Sequence, residues 1–151
     1  MNRQPLVSMI TYCYNGARFV GKYFDAILNQ TYPNIELIFF NNGSEDSTGE
    51  IAESYRSKLE AKGIITKIIH YKENQCTCSL KQEGIRLAQG EYFFGCDSDD
   101  LIDPTYVEEM ASYLINHPEK GIVYCQLRTV QEESGEVIGT MKMVPDRKSV
   151  V

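Results

Sequence analysis

The chain has 151 residues, 42% of them hydrophobic, and a formal net charge of -6. This length and apolar content suit one globular domain with a substantial core, while the acidic balance, with no cluster of Lys or Arg, argues against a nucleic-acid-binding face. No apolar run approaches the roughly 20 residues needed to span a bilayer, and the polar start Met1-Asn2-Arg3-Gln4 is no signal peptide; the expected location is the cytoplasm, with work beside a membrane left open.

Residues 6–11 are short, apolar and β-compatible, and the turn Asn15-Gly16 follows, so the first element reads as a buried strand. Ala17, Val20, Phe24, Ile27 and Leu28 then recur at helical spacing with Arg18, Lys22 and Asp25 on the other side, and Thr31-Tyr32-Pro33-Asn34 ends that helix. Residues 35–40 predict a second strand. After Asn41-Asn42-Gly43-Ser44, the capping box Ser47-x-x-Glu50 opens a helix running to about Ala61 and closed by Gly63. A third strand is expected over residues 64–71, with His70 at its end, then a helix over 79–88 stopped by Gly90 and a fourth strand over 92–96. Asp103-Pro104 reads as an N-cap followed by proline at the first helical position. The stripe Val107, Met110, Ala111, Leu114 and Ile115 belongs to that helix, which His117-Pro118 ends. Residues 121–127 read as a fifth strand, and Ser134-Gly135 as the turn of a terminal hairpin flanked by the surface acids Glu132 and Glu133.

The cysteines, Cys13, Cys76, Cys78, Cys96 and Cys125, are odd in number and lack CxxC spacing, so reduced thiols are expected. Cys76-Thr77-Cys78 could contribute to a soft-metal site, but His70 and His117 show no matching ligand spacing and read as structural. Strands alternating with helices imply an α/β fold, a mostly parallel sheet with helices on both faces. In such sheets ligands bind beyond the carboxyl ends of the strands, where crossovers diverge to opposite faces. Those ends carry Tyr12-Cys13-Tyr14-Asn15, Asn41-Asn42-Gly43-Ser44, residues 71–74 and Asp97-Ser98-Asp99.

The run Asp97-Ser98-Asp99-Asp100 sets three carboxylates in four positions, which repel one another unless a cation, a donor cluster or open water relieves them. Magnesium or manganese would do so with one or two carboxylates and further oxygens from phosphate and water. An acidic turn that caps the next helix is the alternative.

In order and spacing, Val7-Ser8-Met9-Ile10, Tyr14-Asn15, residues 29–38, residues 42–48, Gly90-Glu91-Tyr92 and the aspartate run resemble the amino-terminal half of family 2 glycosyltransferases. That family has the Rossmann-like GT-A nucleotide-diphospho-sugar transferase fold. The match runs from about Leu6 to Thr129, and the resemblance implies a single GT-A-like domain, truncated on its C-terminal side, whose acceptor-binding part is missing. Tyr12 and Tyr14 fall in a segment similar to the family's uracil-contacting loop. Asn42 stands where the family usually has an aspartate that accepts a hydrogen bond from the base, and Asn41 replaces its acidic neighbour. Lys81 stands where arginine is common, offering a point charge without the planar fork. Asp97-Ser98-Asp99 matches the DxD motif, in which the first acid contacts ribose or metal and the last holds the ion, Mg2+ or Mn2+, that bridges the diphosphate.

The implied reaction moves a sugar from a nucleotide-diphosphate donor, a UDP-sugar, to an acceptor hydroxyl with inversion, in glycan or polysaccharide synthesis. The acceptor is an unidentified glycan or lipid-linked group, and the catalytic base comes from beyond the DxD motif. A catalytically inactive nucleotide-sugar-binding or scaffold remnant is the rival reading, favoured by Asn41 and Asn42. A phosphoacceptor receiver domain fits poorly, because it needs acids at those early strand ends.

Overall fold

The computed structural model describes residues 4–131 and 134–141. The expected tail over 145–151 and the acids Glu132 and Glu133 lie outside the described residues. The chain divides into two compact units, Met1–Ala111 and Ser112–Val151.

The first unit is a parallel sheet with helices on both faces. Its elements are β1 (Val7–Cys13), α1 (Ala17–Leu28), β2 (Ile35–Asn42), α2 (Thr48–Ala61), β3 (Ile65–Tyr71), α3 (Thr77–Leu87), β4 (Tyr92–Gly95) and the first turns of α4 (Tyr106–Asn116). All eight residues of β2 and six of the seven in β1 are buried, as the unbroken apolar character of strands covered on both faces demands. The strand order is β3-β2-β1-β4, with Val7 opposite both Ile35 and Tyr92. The chain thus builds outward from β1 through β2 to β3, then crosses back to lay β4 on the other flank of β1.

Alternate residues of a strand face opposite sides of the sheet, and the two faces are packed differently. On one, Phe24 of α1 stacks on Tyr55 of α2 at 5.2 Å between ring centroids and lies 5.0 Å from Phe39. Val20, Tyr23, Phe24 and Ile27, spaced as one helical stripe, are the residues α1 buries here. On the other face Ile10, Ile38 and Phe40 form a cluster with Leu80 of α3. The α3 face also holds a fully buried carboxylate, Glu36. Its Oε1 accepts from Lys67 Nζ at 2.7 Å, and its Oε2 accepts from the Ser8 hydroxyl at 2.5 Å and the Gln89 amide at 2.8 Å. Burial alone would raise the Glu36 pKa, but these donors outweigh it and hold the carboxyl below its usual range.

Helix ends depart from several sequence expectations. Gly63, at φ +88, does close α2: its amide donates to Glu60 O, and the next amide, Ile64 N, to Leu59 O, the paired bonds of a Schellman stop. Ser47 occupies the N-cap of α2 but makes no side-chain capping bond; Asp46 does that work, accepting from Thr48 N at 3.0 Å. Helix α4 begins at Tyr106, so Pro104 is not its first helical residue. Gln30 holds this start, its buried amide accepting from Val107 N at 3.1 Å and donating to Asp103 O at 2.8 Å. Helix α3 starts at Thr77, two residues before the expected Ser79.

In the second unit, residues 121–126 are not a strand. The strand is β5 (Leu127–Val130), antiparallel to β6 (Val137–Met141), with Leu127 opposite Met141 and a bulge at Thr129/Val130. An apolar run needs a partner strand to complete its backbone hydrogen bonds, and the partner available here, 137–141, pairs with the later segment. The expected turn at Ser134-Gly135 does lie between these two strands. No described helix is long and apolar enough to cross a membrane.

Candidate functional site

Because β4 lies beside β1 while β2 and β3 lie on its other flank, the crossovers diverge between β1 and β4, and a crevice opens beyond the carboxyl ends of those two strands. A cavity of about 220 Å³ occupies that position, lined on the β1 side by Tyr12, Cys13, Tyr14, Asn15, Gly16 and Phe19 and on the β4 side by Asp97, Ser98 and Asp99. Tyr12 belongs to β1 itself, which extends two residues past its expected end, whereas Tyr14 stands in the following loop, half exposed.

The β1 side is held by its neighbour. Asn15 N donates to Ser44 Oγ at 3.0 Å, Gly16 N to Thr48 Oγ1 at 2.9 Å and Ala17 N to Asp46 Oδ2 at 3.0 Å, while Glu45 N donates to Asn15 Oδ1 at 2.9 Å. Three successive amides are thus satisfied by side chains from the β2–α2 connection and the first residue of α2, which fixes the loop. Asn15 itself has φ +50, a left-handed conformation that Asn tolerates. Burial works against ionisation of Asp46, yet the Thr48 hydroxyl and the Ala17 and Thr48 amides prevail and lower its pKa. Asp46→Ala is expected to cost about 1 kcal/mol of stability, read by urea unfolding at pH 7. Because the folded-state pKa is depressed, this contribution is present above the ordinary carboxylate range and disappears as pH falls through the lowered value, so wild type and variant converge in acid.

On the β4 side, Cys96 N donates to Ile10 O at 3.2 Å and Asp100 N to Asp97 O at 3.1 Å, so the acidic run turns sharply as β4 ends. Burial first, then Asp97 and Asp99, raises the Asp100 pKa; burial first, then Asp100, Asp97 and Asp99, pushes the Cys96 thiol up to about 12. The neighbours therefore register concentrated negative charge. Cys13, at the cavity floor, is also raised by burial, partly offset by a hydrogen bond with Ser98.

Lys81 and Asn42 do not line this cavity. Lys81 Nζ lies 5.7 Å from the centre of the Tyr12 ring, and its hydrogen bond with Tyr12 raises its pKa. Asn42 is buried, its Oδ1 accepting from Gln75 N at 2.7 Å and its Nδ2 donating to Gln75 O at 3.1 Å. Asn41 faces the other side of the sheet, within 3.0 Å of His70 Nδ1, and His70 Nε2 lies 2.9 Å from Glu53 Oε1. Gly16 and Phe19 were not singled out as site residues from the sequence. The signal for Gly16 was the Asn-Gly turn, because a Cβ there would fall 2.3 Å from Cys13 Sγ; Phe19 had none, reading as one more helical residue.

Among the described residues no three His, Cys, Asp or Glu side chains converge as a metal cage, and the five cysteines are free thiols. The donor set here is two carboxylates with a hydroxyl between them. Such a set fits a hard divalent ion whose remaining ligands are phosphate oxygens and water.

The profile of the family described as Glycosyl transferase family 2 matches residues 8–147. The chain belongs to this family. An uncharacterized glycosyltransferase of Rickettsia typhi is 39% identical over 131 residues, covering 86% of this chain and 39% of that protein. Among solved structures, the mannosyltransferase PcManGT from Pyrobaculum calidifontis, in complex with GDP-Man and Mn2+, superposes with a TM-score of 0.68 at 21% identity over 75% of this chain and 33% of that one. S. aureus TarS 1-349 in complex with UDP-GlcNAc gives 0.66 at 23% identity over 75% and 32%. These likenesses identify the fold as that of GT-A glycosyltransferases. This family 2 chain spans 39% of the Rickettsia relative's length.

Proposed function

We propose that this family 2 chain is the donor-binding domain, incomplete on its acceptor side, of an enzyme that transfers a sugar from a UDP-sugar to an acceptor hydroxyl with inversion, in glycan or polysaccharide synthesis. The observation that carries the proposal is the cavity at the β1/β4 crevice, where two tyrosines face an aspartate pair. Tyr14, exposed at the rim, offers a ring on which a base can stack, with Tyr12 deeper beside it. Lys81, over Tyr12, adds a point charge toward the nucleotide. Asp97 contacts ribose or metal, Ser98 supports the nucleotide, and Asp97 and Asp99 are the residues that would hold Mg2+ or Mn2+. When bound, the ion offsets negative charge that develops on the departing diphosphate.

The acceptor oxygen attacks the anomeric carbon as the bond to the diphosphate breaks and the electron pair leaves with it, while a general base outside the residues described takes the acceptor proton. A cytoplasmic location suits both free thiols and a nucleotide-sugar donor, and the acceptor is a glycan or a lipid-linked hydroxyl reached beside a membrane. Support for the donor class and the ion comes from the two structural neighbours, solved with UDP-GlcNAc and with GDP-Man and Mn2+.

A second reading, a nucleotide-sugar-binding scaffold without catalysis, is favoured by amides at Asn41 and Asn42 in place of acids. Calorimetric titration of UDP in manganese is expected to show binding, and incubation with a panel of nucleotide sugars and acceptors then separates enzyme from scaffold by whether free UDP accumulates. Failure to bind any nucleoside diphosphate rejects both.

A further inference from the structure

We propose that Asn42 is a positioning residue, not a reader of the donor's base: its side-chain amide clamps the main chain of Gln75, and donor selection at this position is indifferent to base identity. This role presupposes the nucleotide donor site assigned to the β1/β4 crevice. The amide oxygen and nitrogen of Asn42 both engage one residue, Gln75, at 2.7 and 3.1 Å, the donor–acceptor pairing that one peptide unit offers another. Asn74 returns a further bond, Nδ2 to Asn42 O at 3.3 Å.

Beneath this clamp the β3–α3 segment presses on the turn after β2. A Cβ on Gly43 would fall 2.5 Å from Glu73 C and 2.6 Å from Asn74 N, and Gly43 has φ +74, so glycine is required on both counts. The clamped residue immediately precedes Cys76, the N-cap of α3, and α3 carries Lys81 above Tyr12. Asn42 therefore sets where α3 begins and, through it, where the lysine charge lies.

An aspartate cannot replace this arrangement. One carboxylate oxygen could accept from Gln75 N, but the other would face the Gln75 carbonyl, acceptor against acceptor, where Asn42 now donates. Asparagine at 42 thus matches a loop that offers a carbonyl, and its amide is engaged by the chain before any base arrives.

The test titrates the full chain with UDP, CDP, GDP and ADP in manganese, for wild type, Asn42→Asp, Asn42→Ala, Lys81→Met and the double variant Asn42→Asp/Lys81→Met. Titrations are run at a temperature where circular dichroism shows every protein folded. Asn42→Asp and Asn42→Ala are expected to weaken all four nucleotides by one common factor of roughly five to ten and to speed hydrogen exchange at the Gln75 amide in the alanine variant. The double variant binds no more weakly than Lys81→Met alone, because the substitution at 42 acts only by displacing the lysine charge that Lys81→Met already removes. A gain in UDP over the other three in Asn42→Asp overturns the proposal, as do additive losses in the double variant or a Gln75 amide that stays protected. Binding of none of the four by wild type rejects the donor site itself, a result distinct from base-selective binding.

Discussion

Asp99→Ala is expected to abolish the manganese-dependent part of UDP affinity and to leave the protein folded. Asp99 is exposed at the end of β4 and lines the cavity with Asp97; its loss opens no void in the core. Its charge is unfavourable to its neighbours, helping to raise both the Asp100 carboxyl and the Cys96 thiol. Removing that charge relaxes the pair, so thermal stability is unchanged or slightly higher. For the proposed transfer by the enzyme that carries this domain, the loss should reach about 10²–10³-fold, the scale seen when one electrostatic stabiliser of a leaving oxyanion is deleted. Titration with manganese, with magnesium and with EDTA is the measurement. Wild type in EDTA should bind UDP as weakly as the variant does in manganese, and Asp99→Asn, which keeps the shape without the charge, should behave like alanine. Manganese-dependent binding that persists in both variants would refute the assignment of Asp99 to the ion.

Lys67→Met is expected to be the most destabilising change outside the aromatic core, costing ~3–5 kcal/mol at pH 7. Glu36 is fully buried, and Lys67 is its cationic partner among the described residues, at 2.7 Å, with Lys67 Nζ also donating to Leu87 O at 2.9 Å. Methionine fills the space of the lysine stem but leaves a buried carboxylate with two neutral donors, Ser8 and Gln89. The pH dependence follows from the sign of the shift. In wild type the folded-state pKa of Glu36 is lowered, so its contribution is full above the ordinary value of 4.5 and fades as pH falls through the lowered one. Without Lys67 burial dominates and the pKa moves up. The variant then gains from protonation where wild type loses, and the difference between them shrinks on acidification. Urea unfolding from pH 8 to pH 4 measures this, and a gap that stays constant or widens in acid would show that Lys67 acts by packing alone. Lys67→Met with Glu36→Leu should recover most of the loss, since an apolar pair leaves no buried charge.

The second change also locates what the far end of the sheet does. Glu36 receives the Gln89 amide, and Ser8 Oγ receives the Gly90 amide at 2.9 Å. These bonds tie the α3–β4 connection to the two central strands at the end opposite the crevice. They anchor β4 beside β1, and β4 is what delivers the acidic run to the cavity.

Much of this arrangement was legible in local pattern. The continuous apolar runs of β1 and β2, the stripe through Val20, Phe24 and Ile27, and the Gly63 stop depend on period and sterics within a few residues, so they read directly off the chain. The order of tyrosines, Asn-Gly turn and aspartate run likewise carried the resemblance to the family, because those groups keep their spacing whatever surrounds them. Strand adjacency was another matter. That β4 pairs with β1, bringing Asp97 and Asp99 to the same cavity as Tyr12 and Tyr14, depends on which edge was still open when the chain crossed back. The same holds for the start of α4, held by Gln30 from 77 residues away, for the hairpin that displaced the expected strand over 121–127, and for the Gln75 backbone that the Asn42 amide bonds. Propensity and periodicity are properties of neighbours in sequence; hydrogen-bond partners and sheet edges are chosen among groups that only folding brings together.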